Sequence, residues 1–130
     1  MLIDKLILSV LPEQYAVCRL GSDEEMPGWV TGNIFFSITR TPDELSIICP
    51  QEKVPAEIEC ERSFRIIRVS GPLSLSLIGL IASISRIIAN VGISLLSIST
   101  YETDYILVKD KDLDGAIAAL SREGWPITVD

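Results

Sequence analysis

The stretch Leu77-Ile78-Gly79-Leu80-Ile81-Ala82-Ser83-Ile84-Ser85-Arg86-Ile87-Ile88-Ala89-Asn90-Val91-Gly92 decides the fold. Its apolar residues Leu77, Leu80, Ile81, Ile84, Ile87, Ile88 and Val91 recur at spacings of three and four, which marks one face of an α-helix. The helix is expected to start between Leu73 and Gly79 and to run to about Asn90. Gly92 stands where a helix ends in the left-handed conformation that glycine tolerates. A second seam, Ile78, Ala82, Ser85 and Ala89, repeats at the same spacing. A helix weakly polar on two sides is covered on both, so the seam faces either its own domain or another subunit.

Working outward, Phe64 to Val69 reads as the strand before this helix, ended by Gly71-Pro72. Ile93 to Thr100 and Asp104 to Lys109 read as two strands after it. Asp110 or Asp112 is placed to cap a second helix, with the stripe Leu113, Ile117 and Leu120. Gly124 closes that helix and Trp125 to Val129 gives a last strand. The order β-α-β-β-α-β is the split βαβ, or ferredoxin-like, plan. The fold class is therefore α+β, with two helices on one face of an antiparallel sheet.

The first half reads as strands: Leu2 to Val10, Tyr15 to Leu20, Ile34 to Thr39 and Leu45 to Cys49. Thr41-Pro42-Asp43-Glu44 joins the last two as a hairpin, with proline presetting one backbone angle and Asp43 able to bond its own main chain. Gly21 to Glu25 is a loop, or the cap of a short helix toward Trp29. Pro50 to Arg62, rich in charge and carrying Pro50 and Pro55, reads as a connector and as the internal boundary.

Composition narrows the function. The 130 residues are 48% hydrophobic and 22% charged, which supports a folded core rather than disorder. Eighteen acidic against eleven basic residues give a net charge of −7, which opposes nucleic acid and anionic membranes alike. The apolar run Leu73 to Ile98 is broken by Ser83, Ser85, Arg86, Asn90 and Gly92, so it does not read as a membrane span of about 20 apolar residues. Met1-Leu2-Ile3-Asp4 lacks the basic start of an export signal. Cys18, Cys49 and Cys60 show no C-x-x-C spacing and the chain has no histidine, so a zinc site or disulfide framework is not expected. The cysteines read as buried free thiols in a reducing compartment.

No catalytic constellation stands out. The usual base near neutral pH is missing with histidine, no G-x-S-x-G elbow surrounds the serines, and Gly71 and Gly79 lack the partners of a phosphate-binding loop. Gly79 beside a helix amino terminus leaves room for an anion to approach outward-pointing amides. Thr100 and Asp104 flank a turn, where a carboxylate can hold an ammonium group. An anion site beside a cation site would suit a zwitterionic amino acid. The same residues also read as helix–sheet packing and a turn cap.

Several stretches carry a family resemblance: Phe36 to Pro50, Gly71-Pro72-Leu73, Gly79 to Ile84, Gly92-Ile93-Ser94, and above all Ser99-Thr100-Tyr101-Glu102-Thr103-Asp104-Tyr105-Ile106-Leu107-Val108. They resemble the ACT family, and within it the branch related to the repeats of the arginine sensor CASTOR. The resemblance covers about Thr31 to Leu120 well and the first thirty residues loosely. It implies two ACT-like units in tandem, an incomplete one at 1–60 and a fuller one at 61–130. It implies a non-catalytic regulatory module, cytoplasmic and without cofactor, that binds a free amino acid where ACT units meet, in a homodimer. The ligand-binding positions it carries over are Gly79, Ile81, Thr100, Tyr101 and Asp104. The arginine sensor has an acidic residue two positions before its loop glycine, where this chain has Leu77. An uncharged or apolar amino acid is then the expected ligand. The alternative reading is a ligand-free protein–protein interaction module.

Overall fold

The computed structural model describes residues 6–32, 35–70 and 79–129. In chain order the elements are β1 (Ile7–Val10), β2 (Tyr15–Leu20), a 3-10 turn (Gly28–Val30), β3 (Ser37–Arg40), β4 (Leu45–Pro50), a 3-10 turn (Gln51–Lys53) and β5 (Cys60–Ser70). There follow α1 (Leu80–Asn90), β6 (Leu96–Ser99), β7 (Asp104–Lys109), a 3-10 turn (Asp110–Asp112), α2 (Leu113–Arg122) and β8 (Ile127–Val129). The expected strand and helix order is present. The chain forms two compact units, one of Glu13–Phe64 and one of the residues up to Pro12 together with those from Arg65 onward. The sequence division at 1–60 and 61–130 does not follow these units. Strand β1 belongs with the C-terminal half, and the boundary falls inside β5 rather than in the connector before it.

The unit Glu13–Phe64 is antiparallel throughout, in the order β3-β4-β2-β5. Alternate residues of its strands face one core: Ala16, Cys18 and Leu20 from β2, with Leu45, Ile47 and Cys49 from β4. Val30 and Val54 complete it from the turns. The β3–β4 turn is held by Thr41, whose hydroxyl accepts the Asp43 and Glu44 amides at 3.2 and 3.1 Å. The expected role of Asp43 thus passes to the residue two positions earlier, whose hydroxyl reaches the same amides. The Arg62 guanidinium donates to the carbonyls of Gln51 and Val54 at 3.0 and 3.3 Å. The stretch read as a connector is thereby part of this unit.

In the other unit the strand order is β6-β7-β5-β1-β8. Elements β5-α1-β6-β7-α2-β8 are the expected βαββαβ series. The chain's first strand is inserted into it. β1 pairs antiparallel with β5, from Ile7 opposite Ser70 to Val10 opposite Ile67. It pairs parallel with β8, from Leu8 opposite Ile127 to Val10 opposite Val129. The sheet is therefore not wholly antiparallel. Leu8, Val10, Ile67, Val69, Ile106 and Val108 lie against Leu80, Ile84 and Ile88 of α1 and Leu113, Ala116 and Leu120 of α2.

The helix stripes are close to those expected. Ile81 and Ile87 are partly buried beside the core, whereas Val91, past the end of α1, is exposed. Residues 71–78, which include Leu77 and Ile78, lie outside the described residues. Both helices end in the same motif. The Gly92 amide reaches the Ala89 carbonyl and Ile93 reaches Ile88; likewise Gly124 reaches Ser121 and Trp125 reaches Leu120. Both glycines have positive φ, as this paired cap requires. The expected carboxylate cap of α2 does not form. Asp112 has helical rather than extended backbone angles and makes no side-chain cap bond, because the 3-10 turn Asp110–Asp112 already leads into the helix. Asp110 instead pairs with Arg65 at 3.3 Å.

Ile84 is fully buried at the middle of α1. Ile84→Ala should lower the unfolding free energy by about 3 kcal/mol, and Gly92→Ala by about 1 kcal/mol through its left-handed backbone. Urea denaturation followed by circular dichroism measures both.

Candidate ligand-binding site

The described residues expected to bind a ligand fall in two groups. Gly79 and Ile81 belong to the start of α1. Gly79 is the residue before the helix, with φ +81, and its carbonyl accepts the Ser83 amide at 2.9 Å. A Cβ added there meets nothing within 4 Å among the described residues. Backbone angle, not space, therefore calls for glycine at this position. Gly79 has no side chain to cap the amides of the first turn, and those amides have no partner within the helix. Ile81 turns its side chain toward the core, and its carbonyl accepts the Ser85 hydroxyl. The part of Ile81 that a ligand could meet is its backbone.

Thr100, Tyr101 and Asp104 are brought together by the β6–β7 hairpin, whose last rung pairs Ser99 with Asp104. Thr100 closes the turn three times over. Its amide and its hydroxyl donate to the Thr103 carbonyl at 2.8 and 3.0 Å, and its hydroxyl accepts the Thr103 amide at 3.1 Å. This hydroxyl is committed to the turn. Tyr101 projects from the tip and is 80% exposed.

Asp104 differs from both. It opens β7 on the same side as Ile106 and Val108, which face the helices. Its side chain is partly buried, and no hydrogen bond or ion pair holds its carboxylate among the described residues. A carboxylate without a partner can accept charge-assisted hydrogen bonds from a cation. Leu77 lies outside the described residues.

Two surface clefts lie within the unit Glu13–Phe64, and neither includes a position expected from the sequence. One, of about 220 Å³, is lined by Glu13, Gln14, Gln51 and Glu52, with the two amide side chains joined at 2.8 Å. The other, of about 260 Å³, lies along β2, β4 and β5 and is lined by residues that include Arg19, Glu44, Ser46, Glu59 and Glu61. Residues far apart in the chain are assembled by strand pairing here, so spacing along the sequence carries no sign of them.

With this geometry in view, comparison with known proteins is informative. The sequence profile of the ACT domain matches residues 59–122, and a second profile, an N-terminal domain, matches residues 13–57. The cytosolic arginine sensor for mTORC1 subunit 1 of Bos taurus is 32% identical over 100 residues, which are 68% of this chain and 30% of that protein. The chain thus spans about a third of the length of the curated relatives it matches. A crystal structure of a protein from Agobacterium tumefaciens superposes with a TM-score of 0.91 at 29% identity, over 97% of this chain and 94% of that one. A protein of unknown function from Vibrio cholerae shares the fold, with a TM-score of 0.76 at 23% identity over 93% of this chain and 91% of that one. The fold is the ferredoxin-like fold of ACT domains. This chain belongs to the ACT-domain family, in the branch of the cytosolic arginine sensors.

Thr100→Ala should loosen the β6–β7 turn and lower stability by about 1 kcal/mol, while Thr100→Ser keeps the hydroxyl and most of the stability. Urea midpoints of the two variants check this.

Proposed function

We propose that this chain is a non-catalytic regulatory module that binds a free amino acid where ACT units meet, as a cytoplasmic homodimer. The observation that carries the reading is Asp104. The residue is partly buried, its carboxylate has no hydrogen-bond or ion-pair partner among the described residues, and it stands beside a turn that Thr100 closes. It is suited to receive an α-ammonium group. The amides that follow Gly79, which have no partner within the helix, suit an α-carboxylate. In a strand–helix–strand connection the helix begins at the end of the sheet where the second strand finishes. By that topology the start of α1 and the β6–β7 turn belong to one end of the unit. Membership of the ACT family, with relatives that include arginine sensors, supports the same reading.

Leu77 stands where the arginine sensor has an acidic residue, so the ligand is an uncharged or apolar amino acid. In this reading Ile81 acts through its amide and Tyr101 covers the bound molecule. Ligand that bridges two units shifts their packing, and this is the signal.

One observation favours a protein–protein module instead. Among the described residues β6 is bonded to β7 alone, which leaves its other edge without a strand partner there, and Leu96 on it is 43% exposed. Exposed edges of this kind recruit another strand. In that case no small molecule is required.

A thermal-shift screen against the twenty amino acids at millimolar concentration separates the two. Binding at one hundred times the dissociation constant adds about 2.7 kcal/mol of stability. A shift with one or a few uncharged amino acids, lost in Asp104→Ala while that variant melts within a few degrees of the unmodified chain, is the expected result. A flat screen with a folded, ligand-free sample would sink the amino-acid reading.

A further inference from the structure

The three cysteines converge on one face of the unit Glu13–Phe64, and the strand register singles out two of them. Cys18 on β2 stands directly opposite Cys60 on β5. The adjacent residues Arg19 and Glu59 are joined by an amide-to-carbonyl bond of 3.0 Å. In an antiparallel ladder hydrogen-bonded and non-hydrogen-bonded pairs alternate. Cys18 and Cys60 therefore form a non-hydrogen-bonded pair, the kind whose Cα atoms are about 4.5 Å apart. That separation lies in the range of about 4.4–6.8 Å that a disulfide spans. The two thiols are already in side-chain contact.

Cys49 is disfavoured by the same register. It stands opposite Ala16, so it is diagonal to Cys18. Diagonal neighbours lie roughly 7–8 Å apart, so although the Cys49 thiol also hydrogen-bonds with that of Cys18, their backbones are farther apart than a disulfide prefers. Among the described residues no group of three or more cysteine and carboxylate side chains has the geometry to hold a metal ion. Thiol chemistry is what remains for this cluster.

We infer that Cys18 and Cys60 are a reversible disulfide site, with Cys60 as the entry point and Cys18 as the resolving thiol. Cys60 is partly buried at the start of β5, between the exposed residues Glu59 and Glu61. Cys18 is almost wholly buried behind it. A two-electron oxidant such as hydrogen peroxide meets Cys60 first. The Cys60 sulfur attacks one peroxide oxygen, the O–O bond breaks, and a sulfenic acid and one water result. The Cys18 sulfur then attacks the Cys60 sulfur, the S–O bond breaks, and the hydroxyl leaves as a second water with the Cys18 proton. The balance is two thiols and one peroxide giving one disulfide and two waters. In a reducing compartment the bond is transient. Its effect is to tie β2 to β5 around the β3–β4 hairpin, independently of any amino-acid ligand.

The groups facing the pair are Cys49 on β4 and Arg62 on β5. Burial pushes the Cys60 thiol above its ordinary value, and Arg62 opposes this. The hydrogen bond with Cys49, and then burial, push Cys18 up as well. The thiolate is the reacting form, so oxidation is slow at pH 7 and accelerates toward pH 9.

The test treats the folded chain with hydrogen peroxide, alkylates it under denaturing conditions and maps its peptides without reduction. One alkylated thiol on Cys49 and a Cys18–Cys60 peptide are expected, with a melting temperature raised by about 5 °C or more and restored by dithiothreitol. Cys49→Ser should behave alike, and Cys60→Ser should form no internal disulfide. The unmodified chain alone decides the matter. Three alkylated thiols, a Cys18–Cys49 link, or Cys60 oxidised to sulfinic acid with Cys18 still free would each overturn the assignment.

Discussion

The backbone pairing of β1 with β5 is the constraint on which the C-terminal unit depends. Four residues, Ile7–Val10, bond antiparallel to Ile67–Ser70 on one side and parallel to β8 on the other. β8 is three residues long, and a strand so short has little stability of its own. Its partner is β1, not the β5 edge that a four-stranded ferredoxin-like sheet would offer. The same pairing aligns Leu8 and Val10 with Ile67 and Val69 on the face that receives both helices. A one-residue slip of β1 would send Leu8 and Val10 to the opposite face, away from Ile67 and Val69. Register here is therefore held by burial as well as by hydrogen bonds.

The two ends of each helix are built differently. Their carboxyl ends share one paired cap with glycine in the left-handed conformation, and the residue after each glycine, Ile93 or Trp125, packs against the core. That cap joins chain reversal to core packing. The amino ends of both helices lack a side-chain cap. At α2 the preceding 3-10 turn supplies continuity. At α1 the residue before the helix is glycine, which offers no side chain to the first-turn amides.

The β6–β7 hairpin sorts three residues that look alike in sequence. Thr100 serves the turn with its hydroxyl, Tyr101 stands clear of the protein, and Asp104 turns toward the helix side. Only the last has chemistry to spare. This chain carries Leu77, an apolar residue, two positions before Gly79. The proposed preference for an uncharged ligand follows from that residue.

The helices, the strand Asp104–Lys109, the glycines that end both helices, and the family were legible from residue order. Each is a local pattern: a spacing of three and four, a strand motif, or a left-handed position that glycine fills. What the sequence did not disclose was long-range. Nothing in Leu2 to Val10 shows that this strand is inserted between β5 and β8, because strand pairing joins backbones and leaves little trace in side-chain type. For the same reason the stretch Pro50 to Arg62 looked like a boundary, although Arg62 bonds it into the unit before it. Cys18 and Cys60 lie far apart in the chain and became a pair only through the register of β2 on β5. Tertiary structure decided these matters because register and partner choice depend on burial summed over a whole face, which no short window of sequence contains.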